Sequence, residues 1–381
     1  SLAVAFACAA GLARAEIEIT EVTSPGGIDA WLVQEDAIPF IALELRFAGG
    51  ATLDAPGKRG ATNLMTALLE EGAADRDAQA YSAAVEGIAA SFNFDVRDDS
   101  LSVSARFLTE TTDDAAALLR DALTAPRFDP DAIERVRAQV LSSIRSDARD
   151  PDALASRTFD EVAFGDHPYA SPLDGTEDSV ASLSRDDLVA AHQAALARDR
   201  VHVAAAGDIG PEALGALIDT ILGPLPETGA ALPPPADIAT EAGVTVVPFD
   251  TPQSVAVFGH AGLPRDHPDF FAAFVMNTIL GGGGFEARLM DEVREQRGLT
   301  YGVYSYLVPK DLGPLYLGRV ASANDRIADA IAVIRDQWSL MAQEGVTEDE
   351  LAQAKTYLTG EYPLRFDGNG QIARILAGMQ L

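Results

Sequence analysis

Alternating apolar residues predict several β-strands in the first half of the chain. The alternation covers 41–47, 92–96 and 101–107, and Asp98-Asp99 separates the last two runs as a hairpin turn. The apolar run at 201–206 is typical of a buried strand. These runs predict a mostly antiparallel sheet.

Between these runs, apolar residues recur at helical spacing. Residues 59–71 and 77–88 have this spacing, and Gly72 follows the first segment as a stop signal. A third helical stripe at 133–144 begins after Asp129-Pro130, which is a favourable helix start. The fold class that follows is α+β, an α/β sandwich with helices packed on one face of the sheet.

The same plan repeats later in the chain, with strands near 244–248 and 254–260 and a helix at 268–280. Leu119-Arg120-Asp121 matches Ile334-Arg335-Asp336. The helix at 133–140 matches 351–358 at nearly the same offset, after the capping box of Thr347 and Glu350. Generic amphipathic helices could produce either match alone, but both together indicate an internal repeat.

The repeat divides the chain into two homologous α/β sandwich domains. We expect an N-terminal domain at 16–223, a linker at 224–238 where Pro and Gly are frequent, and a C-terminal domain at 239–381. Counterparts of the helix at 184–196 and the strand at 201–206 would fall beyond residue 381. The second domain is therefore expected to lack a C-terminal segment of roughly fifty residues.

Composition and the N-terminal residues limit the possible functions. The chain has 58 acidic and 28 basic residues and a net charge of −30, so no basic patch exists to bind nucleic acid. Residues 1–15 contain a short apolar run that ends in Ala13-Arg14-Ala15, too short to span a bilayer and typical of a signal-peptide remnant. A core helix is the alternative. Export predicts a periplasmic bacterial protein, and the only cysteine, Cys8, lies in this segment.

One stretch combines residues suited to peptide chemistry. A glycine run, Gly281–Gly284 followed by Phe285, precedes a predicted helix that contains Arg294, and Tyr301 follows before the next strand. A fixed cation and a phenol close together along the chain are suited to holding a peptide carbonyl or a developing oxyanion. A buried helix–strand corner with a surface arginine is the alternative. The run lacks the Gly-Lys-Ser/Thr of a phosphate-binding loop.

This stretch resembles the C-terminal half of the M16 (pitrilysin-like, inverzincin) metallopeptidases, and the resemblance covers residues 16–381. In that family a helix of the first half carries His-x-x-Glu-His, and a glutamate further along is the third zinc ligand. Here Asn63 and Ala67 stand at the histidine positions, Thr66 at the general base and Ser143 at the third ligand. The resemblance therefore implies no metal in this chain.

The resemblance also implies a role in a shared active site. Such a chain is the non-zinc subunit of a heterodimeric M16B peptidase, whose partner carries His-x-x-Glu-His and the zinc. Arg294 and Tyr301 would act in trans at that zinc, and Gly282, Gly283, Phe285 and Asn93 would contact an extended peptide.

Two alternatives remain open at this stage. Asn93 belongs to Ala89-Ala-Ser-Phe-Asn93-Phe, which resembles the family's Gly-x-x-x-Asn-Ala strand, but asparagine is also common at strand ends. The whole chain could also be a catalytically inactive peptide-binding or assembly protein of the M16 fold.

Overall fold

A computed structural model describes residues 18–239 and 243–380. The proposed signal-peptide remnant at 1–15 lies outside these residues. None of the helices that the structure describes is both long enough and apolar enough to span a bilayer.

The first half is built on a six-stranded sheet and a separate two-stranded ribbon. The strand bounds are β1 Thr20–Thr23, β2 Asp29–Gln34, β3 Phe40–Ala48, β4 Gly72–Ala73, β5 Arg76–Asp77, β6 Ser91–Val96, β7 Ser100–Leu108 and β8 Val201–Gly207. The sheet has the order β1-β2-β8-β3-β7-β6, and every neighbouring pair is antiparallel except β2 and β8. The ribbon joins β4 to β5.

Helices cover one face of this sheet and form the main core with it. Inward residues of β3 and β7, such as Leu43 and Val103, are about 1% exposed or less and pack against leucines of the first and seventh helices. The helix bounds are α1 Ala61–Ala67, α2 Ala78–Gly87, α3 Thr112–Thr124, α4 Pro130–Asp147, α5 Pro151–Phe164, α6 Glu177–Ser182, α7 Arg185–Ala195 and α8 Pro211–Leu222. The predicted sandwich of helices on a mostly antiparallel sheet is confirmed.

The second half repeats part of this plan on a smaller scale. The bounds are β9 Gln253–Ala261, α9 Phe270–Asn277, β10 Val303–Val308, β11 Leu315–Ala323, α10 Ile327–Glu344, α11 Glu348–Glu361 and α12 Asn369–Met379. Its three antiparallel strands have the order β10-β11-β9, which matches β6-β7-β3 of the first sheet. Helix α10 follows β11 as α3 follows β7, and α11 follows α10 as α4 follows α3, in agreement with the two sequence matches.

Each half also lends a helix to the sheet of the other. Helix α12 lies on the second face of the first sheet, where Ile372 and Leu376 pack against Val33 and Ala204. Helix α5 follows α4 as α12 follows α11; it packs against β9, and its Asp152 forms an ion pair with Arg319 of β11. The sheet of the first half is therefore covered on both faces, which adds to the one-sided layer predicted from the sequence.

Two β-hairpins meet where the halves touch. Lys310, between β10 and β11, lies 2.5 Å from a carboxylate oxygen of Asp98, between β6 and β7. The backbone N–H of Asp311 donates to Asp99 at 3.2 Å. The hydroxyl of Tyr169 donates to Asp99 and accepts the N–H of Leu312 at 3.1 Å. We call this set of contacts the hairpin junction.

Two predicted helices were wrong in their bounds. The helix expected at 59–71 ends at Ala67, because the N–H groups of Leu68 and Leu69 bond three residues back and tighten the chain into turns. The helix expected at 268–280 ends at Asn277 and continues as a π-helical turn over Thr278–Gly282.

The strand expected near 244–248 does not form. Val244 and Val246 are 75% and 77% exposed, and no strand within 18–239 and 243–380 lies beside them to supply ladder hydrogen bonds. The division into domains at 16–223 and 239–381 stays a prediction.

Candidate functional site

The four degenerate metal positions lie on α1 and α4. Asn63 and Ala67 share the outer side of α1, and Ser143 is exposed on α4. Thr66 is 2% exposed, and its hydroxyl donates to the carbonyl of Thr62 in the preceding turn at 2.7 Å. None of these side chains is a strong zinc ligand, and the Thr66 hydroxyl is already engaged within its own helix.

The part of the chain that the structure describes contains no group of three His, Cys, Asp or Glu residues placed to hold a metal. The histidines lie apart from one another. His192 is buried on α7, and its Nε2 lies 2.8 Å from the carbonyl oxygen of Leu123. Burial lowers the pKa of His192, and burial also lowers the pKa of His202 on β8. Both imidazoles have structural surroundings rather than those of metal ligands.

The glycine run is shaped by close packing rather than by a helix start. A Cβ at Gly282 would lie 2.5 Å from the amide nitrogen of Asn277, so only glycine fits there without movement. A Cβ at Gly281 would collide with Ser305 of β10. Gly283 and Gly284 continue into a short 3₁₀ turn, and the side chain of Phe285 lies outside the described part of the structure.

Below the glycine run is a buried polar trio of Asn277, Ser305 and Tyr316. The hydroxyls of Ser305 and Tyr316 both donate to the Asn277 side-chain oxygen, at 2.7 and 2.9 Å. Each of the three residues is at most 6% exposed. Burial raises the pKa of Tyr316 to about 12, so its phenol stays protonated and keeps donating.

Arg294 lies in the last turn of a π-helical segment, Met290–Glu295. Its side chain is about one-third exposed and forms an ion pair with Glu295 at 3.5 Å. The segment is anchored by Arg288, which holds both carboxylate oxygens of Glu350 at 2.6 and 2.7 Å. This bidentate pair ties the arginine-bearing segment to α11.

Tyr301 follows in the loop that enters β10 and is 87% exposed. Its hydroxyl makes no hydrogen bond with any residue that the structure describes. The alternative of a buried helix–strand corner is therefore wrong for Tyr301, because the ring projects into solvent. The loop itself is held by Thr300, whose hydroxyl donates to the carbonyls of Ala321 and Gly302 at 2.6 and 2.9 Å.

A cleft of about 450 Å³ lies between α9 and the free edge of β10. Phe270 and Phe274 of α9 line one side, residues 304–307 of β10 line the other, and Gly282 belongs to the lining. Ser305 faces α9, so the side chains of Tyr304 and Tyr306 lie on the other face of the sheet. The predicted substrate-binding Gly282 is thus placed in a cavity, within the size range of small-ligand sites.

Asn93 lies apart from this cleft, on the first sheet. It is the third residue of the edge strand β6 and is exposed on the outer face, so it is not a strand-end residue. Its neighbours Phe92 and Phe94 point the other way and pack against the core. No hydrogen bond within the described chain joins Asn93 to Arg294 or Tyr301.

Sequence reasoning missed Arg265 and Asn277, both of which line the cleft. Asn277 interrupts the apolar run 270–280, and a polar residue inside such a run was a usable signal. The sequence contained no signal for Arg265, because its position against the rings of Phe270 and Phe271 depends on the fold.

Known proteins share the sequence pattern and the fold of this chain. Residues 31–177 match the family model described as Insulinase (Peptidase family M16), and residues 182–358 match the model described as Peptidase M16 inactive domain. The chain belongs to the M16 peptidase family. Because the zinc motif of that family is missing from α1, the chain is an inactive M16-type subunit.

Among the individual relatives, one is named a non-peptidase homologue and others are named zinc proteases. The chain is 28% identical over 329 residues to a protein of Helicobacter pylori named "Non-peptidase homolog YmxG", covering 86% of this chain and 76% of that protein. It is 27% identical over 378 residues to a protein of Streptomyces coelicolor named an uncharacterized zinc protease, covering 95% and 80%. The crystal structure of a peptidase M16 inactive domain from Pseudomonas fluorescens superimposes with a TM-score of 0.86 at 29% identity, covering 95% and 87%.

Proposed function

We propose that this chain is the zinc-free subunit of a heterodimeric M16 peptidase. A partner with His-x-x-Glu-His supplies the zinc, the water and the base. This chain supplies Arg294, Tyr301 and one half of the chamber that encloses an extended peptide. The encounter takes place in the periplasm, as the apolar run at 1–15 suggests.

The observation that carries the proposal is the setting of Tyr301. A tyrosine that is 87% exposed contributes little to folding, and its hydroxyl has no partner in the described chain. An exposed phenol on a well-anchored loop can donate a hydrogen bond to an acceptor from outside the subunit. Arg294 precedes Tyr301 in the sequence and belongs to the π-helical segment that Arg288 anchors to α11.

The edge strand β6 supports the extended peptide as ligand. It pairs only with β7 in the described sheet, so its outer edge has unpaired backbone groups. An extended peptide adds to such an edge through main-chain hydrogen bonds, and Asn93 is exposed on the same strand.

The relative named "Non-peptidase homolog" favours a second candidate. In that case the chain binds a peptide or assembles with another protein without contributing to hydrolysis. The two candidates differ in what Tyr301 does after assembly.

The experiment mixes this chain with a zinc-bearing M16 relative and measures complex formation and peptide hydrolysis separately. Light scattering should show a one-to-one complex, and neither this chain nor a zinc-stripped mixture should cleave peptide. Tyr301→Phe should leave assembly intact and lower turnover roughly a hundredfold to a thousandfold, because one oxyanion donor is lost.

Matched controls separate chemistry from surface effects. Tyr357→Phe removes a hydroxyl from an exposed tyrosine on α11, and Arg297→Ala is the control for Arg294→Ala since Arg297 pairs with Glu292 on the surface. Equal and small effects at 294, 297, 301 and 357 in a correctly assembled complex would favour the non-enzymatic candidate.

A further inference from the structure

We propose that the cleft between α9 and β10 binds an aromatic side chain of an extended peptide together with a carboxylate on the same or the next residue. This deepens the proposed function, because it rests on the chain being a peptide-binding subunit. The carboxylate pairs with Arg265 at the rim, and a peptide carbonyl accepts from the Asn277 amide at the floor.

The walls of the cleft select for an aromatic ring. Phe274 is half-buried on the α9 side of the cleft, and Tyr304 and Tyr306, which are 49% and 41% exposed, flank the edge of β10 from the other face of the sheet. Aromatic residues exposed around a concave surface are the usual anchors of recognition sites. A ring that enters on the α9 side can stack edge-to-face against Phe274, and the next side chain of an added strand falls on the side of Tyr304 and Tyr306.

The edge of β10 offers main-chain hydrogen bonds beside these walls. Within the described chain β10 pairs only with β11, so the edge that faces the cleft is open. A peptide added there alternates its side chains, and every second one reaches the cleft.

Arg265 gives the cleft a positive charge at its rim. Its guanidinium lies 4.7 Å from the ring centroid of Phe270 and 5.4 Å from that of Phe271. It forms no ion pair with any acid in the described residues, although the chain has 58 acidic residues for 28 basic ones. The two rings hold the guanidinium in place, and its N–H donors remain available to the carboxylate of a ligand.

The floor of the cleft contains an unpartnered donor. The side-chain oxygen of Asn277 accepts from Ser305 and Tyr316, which fixes the amide so that its nitrogen points toward Gly282. Asn277 is 6% exposed, and this nitrogen has no hydrogen-bond partner among the residues that the structure describes. A donor that faces the cavity and has no partner in the described chain is available to a ligand carbonyl.

The test measures peptide binding to the purified chain alone, by calorimetry at fixed salt. The probes are acetyl-Ala-Ala-Ala-Phe with a free carboxylate, the same peptide as its amide, and acetyl-Ala-Ala-Phe-Asp-amide, whose acid is on a side chain. Acetyl-Ala-Ala-Ala-Ala tests the ring. We expect binding of at least one acidic aromatic peptide, about tenfold weaker binding of the amide, and little binding of the all-alanine peptide. The two acidic probes tell whether the carboxylate is terminal or on a side chain.

Arg265→Gln should weaken the binding of the acidic peptides about tenfold and leave the binding of the amide unchanged. Arg335→Gln is the matched control, since Arg335 is exposed on α10 and also has no ion pair in the described chain. Binding of both acidic peptides no tighter than that of the amide, equal effects of the two arginine variants, or no binding of any probe at millimolar concentration would overturn the proposal. Because the partner is absent, these outcomes are independent of the Tyr301 result.

Discussion

The hairpin junction predicts that the two halves of this chain unfold together, and Tyr169→Phe is the variant that tests it. Tyr169 is 2% exposed and lies between the two β-hairpins. Its hydroxyl donates to Asp99 of the first half and accepts the N–H of Leu312 of the second. The substitution removes one oxygen atom and leaves the packing of the ring unchanged.

The cost follows from the two hydrogen bonds that disappear. A hydrogen bond to a charged group contributes about 1.5–3 kcal/mol and a neutral one about 1 kcal/mol, so the loss is about 2.5–4 kcal/mol. Burial already raises the pKa of Asp99, and the Tyr169 hydroxyl opposes that rise. Without the hydroxyl the carboxylate is left poorly solvated. For a chain of 381 residues that unfolds as one unit, the unfolding entropy is about 0.8 kcal/mol/K, so the midpoint temperature should fall by roughly 3–5 °C.

The two tryptophans make the assay specific for each half. Trp31 lies on β2 beside the cluster beneath α12, and Trp338 lies on α10 with its ring 4.8 Å from that of Tyr316. Trp31→Phe and Trp338→Phe therefore leave one fluorescent probe each. We expect coincident urea transitions for the two probes in the parent chain and separated transitions once Tyr169→Phe is added.

Tyr81→Phe is the matched control. Tyr81 is also 2% exposed, but its hydroxyl donates to the Leu118 carbonyl at 3.2 Å within the first half. This variant should lose about 1 kcal/mol and keep the two transitions coincident. If Tyr169→Phe lost no more stability than Tyr81→Phe and both probes still moved together, the junction would not couple the halves.

Two carboxylates predict opposite dependences of stability on pH. Hydrogen bonds from Arg288 lower the pKa of Glu350 from 4.5 to about 2, so its contribution is present above pH 4.5 and is lost as the pH falls through 2. Glu350→Gln should cost about 1 kcal/mol at pH 7 and less at pH 3 in denaturant titrations; the same difference at both would refute this. Burial raises the pKa of Asp160 from 3.8 to about 6; attraction by Lys310 opposes this rise and repulsion by Asp98 adds to it. The parent chain therefore loses stability as the pH rises through that range. Asp160→Asn should therefore be more stable than the parent at pH 8 with no advantage at pH 4, and an advantage at pH 4 alone would contradict the sign.

The sequence was informative wherever structure depends on neighbours along the chain. Strands β3 and β7 alternate in the sequence because their large apolar side chains, such as Leu43 and Val103, all face the helices of the main core. Pro130 begins α4, and the capping box of Thr347 and Glu350 begins α11, as local rules require. The run at 244–248 has the composition of a strand but no partner strand in the described chain, and no local pattern contains that information.

The candidate site divides in the same way. The glycine run, Arg294 and Tyr301 form a continuous motif that a sequence can show, and their role stays a prediction. The role of Asn277 was not found from the sequence, because its hydroxyl partners Ser305 and Tyr316 are 28 and 39 residues away. The setting of Arg265 depends on how α9 turns Phe270 and Phe271 toward it, which is a property of the folded chain.

The helix that carries ligands in zinc-bearing M16 chains keeps its place here without a metal. The carboxylate of Asp54 accepts the N–H groups of Gly60 and Thr62 and the hydroxyl of Thr62, at 2.7–2.8 Å, and so satisfies the start of α1. Leu64 and Met65 on its inner side are fully buried. Because packing and capping already fix α1, its fold does not depend on metal binding, unlike that of small zinc domains. The first half can therefore lack zinc ligands and still keep its contacts with the second half at the hairpin junction.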